Sequence, residues 1–180
     1  MLSEVGGGAP RRHPPEDCSG ISPRSPSPRS SLLLVTQRNP NAGQSTGVRI
    51  STDPADIDLD WLVPALSERA YWALGRSREA VEAAIERSLC FVALRDGRQV
   101  GFARVITDLV TFAWVCDVFV DESERGKGVG TLLIRTIADD PRLRDLRRLV
   151  LATRDAHEVY ARAGFGPLVH PERWMERRRD

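Results

Sequence analysis

Arg125-Gly126-Lys127-Gly128-Val129-Gly130 sets three glycines at alternate positions, with two cations among them, where an apolar run gives way to a helical pattern. Glycine lets main-chain amides approach an oxyanion closely and takes positive φ at little cost. Successive amides turned inward form an anion nest. A helix that follows adds unpaired N–H groups and the positive end of its dipole. The chemistry implied is capture of a phosphate or pyrophosphate. The spacing is neither GxxxxGK[ST] nor GxGxxG, and on residue types alone a simple flexible turn is an equal reading.

Upstream of this turn, Asp117 stands in the apolar run FAWVCDVFV. An acid in such a strand is costly unless it is paired or hydrogen-bonded. It is therefore a candidate general base, a holder of a cation on the acceptor, or a partner of nearby backbone. Its neighbour Cys116 reads as core packing rather than as a nucleophile, because it lies in an alternating strand. The histidines are His13, His157 and His170, and no spacing among them and the acids suggests a metal site. His157 is a weak candidate for a proton relay, three residues before Tyr160.

The elements that must position these groups follow from periodicity. VRIST, from Val48, reads as an edge strand running into Asp53-Pro54. Ile57, Trp61, Leu62, Leu66 and Ala70 fall near helical spacing, with Pro64 better suited to a first turn than to a helix interior. Ser77 caps a second helix reaching about Ser88. SLCFVAL and GFARVITD flank Asp96-Gly97, a strong hairpin signal, and TFAWVCDVFV completes a three-strand meander. The length and apolarity of that third strand argue for a central position. A helix over about Gly128–Asp139 stops before Pro141. LRRLVLAT reads as a strand, DAHEVYARAG as a helix closed by Gly164, and GFGPLV as a final strand. The order predicts one α/β domain, a mixed sheet with helices on both faces.

The 180 residues suit one domain, and 41% hydrophobic content supports a core. A net charge of +1 gives no case for a nucleic-acid partner. No apolar run approaches the length of a membrane span. Three cysteines, Cys18, Cys90 and Cys116, read as free thiols in a reducing, cytoplasmic setting. Residues 1–46 carry GGG, PP and SPRSPSPRS, with five arginines and three acids, and are expected to be a disordered extension. Residues 47–180 form the expected domain.

With these elements in place, the chain resembles the GNAT superfamily of N-acetyltransferases. That family's signature is Arg/Gln-x-x-Gly-x-Gly/Ala, matched by Arg125 to Gly130; DVFVDES before it and YARAGF at 160–165 match as well. The likeness covers about residues 48–172 and extends to a subgroup of small bacterial single-domain transferases. It implies a mostly antiparallel mixed sheet with a splayed pair of parallel central strands, opened with the help of a bulge near Asp117–Val120. It implies acetyl-coenzyme A as the acyl donor. Backbone at Val118, Phe119 and Val120 would hold the pantetheine arm, and the Val118 amide would polarise the thioester carbonyl. Arg125, Gly126, Lys127, Gly128, Val129 and Gly130 would hold the pyrophosphate. Tyr160, at the family's tyrosine position, would protonate the leaving thiolate, with Asp117 as the base.

For the acceptor, the resemblance directs attention to the early helices and the chain's end. Tyr71, Trp72, Trp114 and Trp174, with Arg78, Arg104 and Glu172, favour a small or amphipathic amine. A protein or peptide acetyltransferase and a coenzyme A-binding module without turnover are the alternatives. No nucleic-acid or membrane partner is expected, and a homodimer is left open.

Overall fold

The structure is a computed structural model that describes residues 47–178. The extension expected over residues 1–46 lies outside the described residues. Strand β1 (Val48–Ser51) is followed by helices α1 (Leu59–Ser67) and α2 (Arg78–Glu86). The meander comes next, as β2 (Leu89–Arg95), β3 (Arg98–Thr107) and β4 (Phe112–Val120). Helix α3 (Val129–Ala138), strand β5 (Arg148–Leu151) and the short helix α4 (His157–Ala161) complete the order. The sheet runs β1-β2-β3-β4-β5, antiparallel except for the β4–β5 pair.

Local chemistry accounts for these elements. Asp58 accepts from the Trp61 amide at 3.0 Å and Ser77 from the Ala80 amide at 3.2 Å, so each side chain satisfies an orphan donor of the helix it opens. Asp96 and Gly97 both take positive φ, 50° and 78°, the geometry of the tight hairpin expected there. In the next turn the Asp108 carboxylate accepts from the amides of Val110, Thr111 and Phe112. The Thr111 hydroxyl, then those amides, hold its carboxyl well below the usual range.

Two expectations are corrected. Pro64 lies inside α1, because the Asp58 cap starts the helix at Leu59 and makes Pro64 its sixth residue. The segment GFGPLV forms no strand. Gly164 turns left-handed at φ 87°, and Pro167 has no N–H to give a ladder.

The sheet is buried on both faces. Cys90, Val92 and Leu94 of β2, with Phe102 and Phe119, pack beneath α1 and α2. Phe91 and Ala93, with Ala103, Val105, Ala113 and Val115, pack against α3. Phe91 and Phe102 have no exposed surface, and truncating either to alanine costs about 3–5 kcal/mol.

In β4 the alternation changes phase. The register with β3 slips between Phe102–Phe119 and Arg104–Cys116, so Asp117 and Val118 together oppose Ala103. Asp117 takes φ 50° to admit the extra residue. Before the bulge, Ala113 and Val115 face α3; after it, Val118 and Val120 do, and Phe119 turns to the α1 side. Pairing between β4 and β5 ends at Val115–Leu151, so from Cys116 to Val120 the β4 edge that faces away from β3 has no strand partner among the described residues.

Candidate active site

A cleft of about 980 Å³ opens where β4 and β5 part. At one end lie the glycine turn and the start of α3, and at the other the residues around Asp117. Val118, Phe119, Val120, Arg125, Gly126, Gly128, Val129, Gly130, Tyr160 and Asp117 all line it. Lys127 does not: its Nζ lies 3.3 Å from Glu124, and its side chain is exposed.

The turn is built for an oxyanion. Gly126 and Gly128 take φ 76° and 82°, conformations that side chains rarely adopt. Gly128 is also the N-cap of α3 and supplies no side chain to cap it. Among the described residues, the N–H groups of Gly126, Gly128, Val129, Gly130 and Thr131 make no backbone or side-chain hydrogen bond beyond helix α3 itself, and the first-turn amides have no partner within the helix. A Cβ at Gly130 would meet Val120 and Val159 at 3.7 Å, an ordinary van der Waals contact, so packing alone does not demand glycine there.

An ion cluster around the buried Glu124 fixes the turn to the sheet. Glu124, 8% exposed, accepts from Arg95 of β2 at 2.8 and 3.1 Å and pairs with Lys127. Desolvation pushes its carboxyl up, but the hydrogen bonds from Arg95 and Lys127 outweigh that and hold it below its ordinary value. Arg125 donates from Nε to the Val120 carbonyl at 3.3 Å, and its guanidinium lies 6.0 Å from the Phe119 ring centre.

Tyr160 comes from α4 and packs edge-on to Phe165. Burial, then the Tyr71 and Asp155 groups, push its phenol above the ordinary value. It is therefore a protonated hydroxyl throughout the physiological range. Among the described residues that hydroxyl makes no hydrogen bond, which leaves its proton available to the cleft.

Asp117 is 5% exposed, and its Oδ2 accepts from Arg76 Nη1 at 2.8 Å and from Arg104 Nε at 2.9 Å. The bulge brings this about by turning residue 117 to the side of the sheet where Arg104 and the loop before α2 lie. The acid that looked costly in the sequence is thus paired. Arg76 was missed by sequence reasoning. The signal was Asp117 itself, whose burial demands a cation, but the partner is 41 residues away.

The remaining acceptor residues divide. Tyr71, Trp72, Trp114 and Arg104 line the cleft. Trp174 lies elsewhere, 5.3 Å beneath Arg148 in a separate groove beside β5, where His157 also lies. Arg78 pairs with Asp60 and Glu82, and Glu172 with His170. Cys116 lines the cleft, but burial pushes its thiol up to about 11, so it is not a thiolate at neutral pH. No metal-binding cluster of His, Cys, Asp and Glu occurs among the described residues. Nor is any described helix long and apolar enough to cross a membrane.

Comparison with known proteins bears on the family and the fold. The family model described as "Acetyltransferase (GNAT) family" matches residues 58–165. A solved GNAT-family protein from Xanthomonas campestris pv. campestris is 45% identical, with a TM-score of 0.70 over 73% of this chain and 92% of its own. A Gibberella zeae protein named as an acetyltransferase is 29% identical over 133 residues, 63% of this chain and 75% of its own. A solved protein from meticillin-resistant Staphylococcus aureus shares the fold at 23% identity, with a TM-score of 0.60 over 74% of this chain and 99% of its own.

Proposed function

The chain belongs to the GNAT acetyltransferase family, and from that premise we propose that it transfers the acetyl group of acetyl-coenzyme A to the amine of a small molecule by direct attack on the thioester. One observation carries the reading. The free edge of β4, the bare amides of the glycine turn and the Tyr160 phenol all open on one cleft.

Each residue has a task in this proposal. The amides from Gly126 to Gly130 receive the pyrophosphate, where the N-terminus of α3 adds its dipole. Arg125 adds charge at the rim, and Lys127 acts at a distance through Glu124, stiffening the turn. Backbone of Val118, Phe119 and Val120 lies on the unpaired edge, suited to the amides of the pantetheine arm. The Val118 N–H polarises the thioester carbonyl. Bound acetyl-coenzyme A supplies an activated acyl group, so no protein nucleophile is needed. Attack by the neutral amine expels a thiolate, and Tyr160 donates the proton that makes it a thiol. Both guanidinium contacts of Asp117 fall on Oδ2, which leaves Oδ1 to accept the amine's proton directly or through one water.

A panel of small amines offered with acetyl-coenzyme A, read by release of free thiol, tests the proposal. Turnover on small amines supports it. Calorimetry that detects no binding of coenzyme A would overturn it.

A further inference from the structure

The acceptor end of the cleft holds an unbalanced charge. Among the described residues four other arginines line the cleft, and four carboxylates balance them: Asp121 with Arg69 at 3.4 Å, Glu122 with Arg69 at 3.7 Å and Arg125 at 3.8 Å, Asp155 with Arg154 at 3.4 Å and Glu158 with Arg162 at 3.6 Å. Arg76 and Arg104 differ, because they share the single carboxylate of Asp117. Nearby groups do not make up the difference. Arg104 Nη1 donates to the neutral Ser88 hydroxyl at 3.0 Å. Burial pushes Cys90 and Cys116, the thiols nearest Arg104, up to about 11, so neither supplies a thiolate.

This surplus is sheltered. The side chains of Arg104 and Asp117 are 12% and 4% exposed, and that of Arg76 is 26% exposed, on the cleft side. Uncompensated charge in such a place is costly, and an incoming anion would relieve it. Among the described residues the Arg76 guanidinium uses only Nη1, and its other N–H groups make no hydrogen bond. A guanidinium fork with free donors fits a planar carboxylate. A surplus of one positive charge matches one monoanion. Beside the cluster, Trp72, Trp114 and Ile106 give the cleft an apolar wall, while the Tyr71 ring lies under the Arg154 guanidinium at 3.7 Å.

We propose that the acceptor is an amine carrying a carboxylate on an apolar body, the chemistry of an apolar α-amino acid, with Arg76 and Arg104 anchoring the carboxylate. This rests on the acetyl-transfer reading above. The anchor sets the amino group, one carbon away, beside Asp117. Attack of its nitrogen on the thioester carbon forms the amide bond and breaks the C–S bond. One proton leaves the nitrogen toward Asp117, and one reaches the sulfur from Tyr160.

Two measurements separate this inference from the reading beneath it. The first compares phenylalanine with phenethylamine and phenylalanine amide, and leucine with isoamylamine, as acceptors of acetyl-coenzyme A. The amino acids should show kcat/KM at least about tenfold higher, a preference that Arg76→Gln abolishes and Arg76→Lys partly restores. Equal or faster reaction of the uncharged partners would overturn the carboxylate anchor while leaving acetyl transfer standing. The second titrates N-acetylphenylalanine and its amide into coenzyme A-saturated protein by calorimetry. Preference for the acid, lost in Arg76→Gln with the fold intact by circular dichroism, supports the anchor independently of turnover. Equal binding, or none, counts against it.

Discussion

In the proposed reaction the two ends of the cleft would recognise their ligands by opposite means. The donor end is made of backbone. Its amides come from one contiguous stretch, and its shape depends on the positive φ of Gly126 and Gly128. The acceptor end is made of side chains from separate segments: Arg76 from the loop before α2, Arg104 from β3 and Asp117 from the β4 bulge. Backbone recognition varies little when side chains change, which suits a ligand shared across a family. Side-chain recognition is readily altered, which suits an acceptor particular to one enzyme.

Substitutions can break this division, and the largest effect is expected at the donor end. Gly128→Val forces a β-branched residue into φ 82°, where even an unbranched one costs about 1–2 kcal/mol. It also turns the amides away from the ligand. Calorimetry should find coenzyme A bound more than about a hundredfold more weakly, while amine-dependent specificity is untouched.

Tyr160→Phe tests the junction of the two ends. The chemical step should fall by about tenfold to a hundredfold, the low end for a general acid because a thiolate leaves readily. Coenzyme affinity should hardly change. Burial raises the phenol, and its protonated form is the active one, so activity should persist to alkaline pH and fall only above the ordinary tyrosine value of about 10. Unchanged single-turnover rates or an unchanged alkaline limb in the variant would remove Tyr160 from the mechanism.

A third change addresses the acceptor end alone. Asp117→Asn leaves two sheltered guanidinium groups without their carboxylate. Breaking a buried pair costs about 3–5 kcal/mol, and the partial exposure of Arg76 reduces that to about 2 kcal/mol, measurable by denaturant unfolding. Coenzyme A binding should survive, because no donor-end contact passes through Asp117. The smallest effect is expected for Cys116→Ala, with turnover within about twofold, since its thiol is protonated and the proposed mechanism assigns it no role. A large loss of turnover there would reopen covalent catalysis.

The same division explains what could be read from the chain. The donor end was legible because its geometry is local: three alternate glycines between a strand and a helix specify their own backbone. The meander was legible from Asp96-Gly97 and from alternation, and α2 from Ser77. The final strand was not, because Gly164 and Pro167 sit within an otherwise strand-like run and their backbone limits prevail over hydrophobicity. Pro64 misled in the other direction, because a cap five residues upstream of the helix midpoint outweighed one lost hydrogen bond. At the acceptor end, Asp117 announced that it needed a partner without naming it. Arg78 and Arg104 were both reasonable from sequence, but only Arg104 reaches Asp117, and Arg76 joins it through folding across 41 residues.

The single extra residue in β4 also sets what can be altered independently. Upstream of it, the even-numbered side chains Trp114 and Cys116 share the acceptor side; downstream, the odd-numbered Asp117 and Phe119 take over. Substitution at Trp114 can therefore reshape the acceptor wall without changing the backbone that meets the donor. Deleting one residue from the bulge would have a different consequence. It would let β4 alternate regularly, with Phe119 and Val120 keeping their faces, but deletion of Asp117 would remove the carboxylate that holds Arg76 and Arg104 together. Acceptor preference can thus diverge by point substitution at Trp114, whereas loss of the extra residue takes the acid of the acceptor end with it.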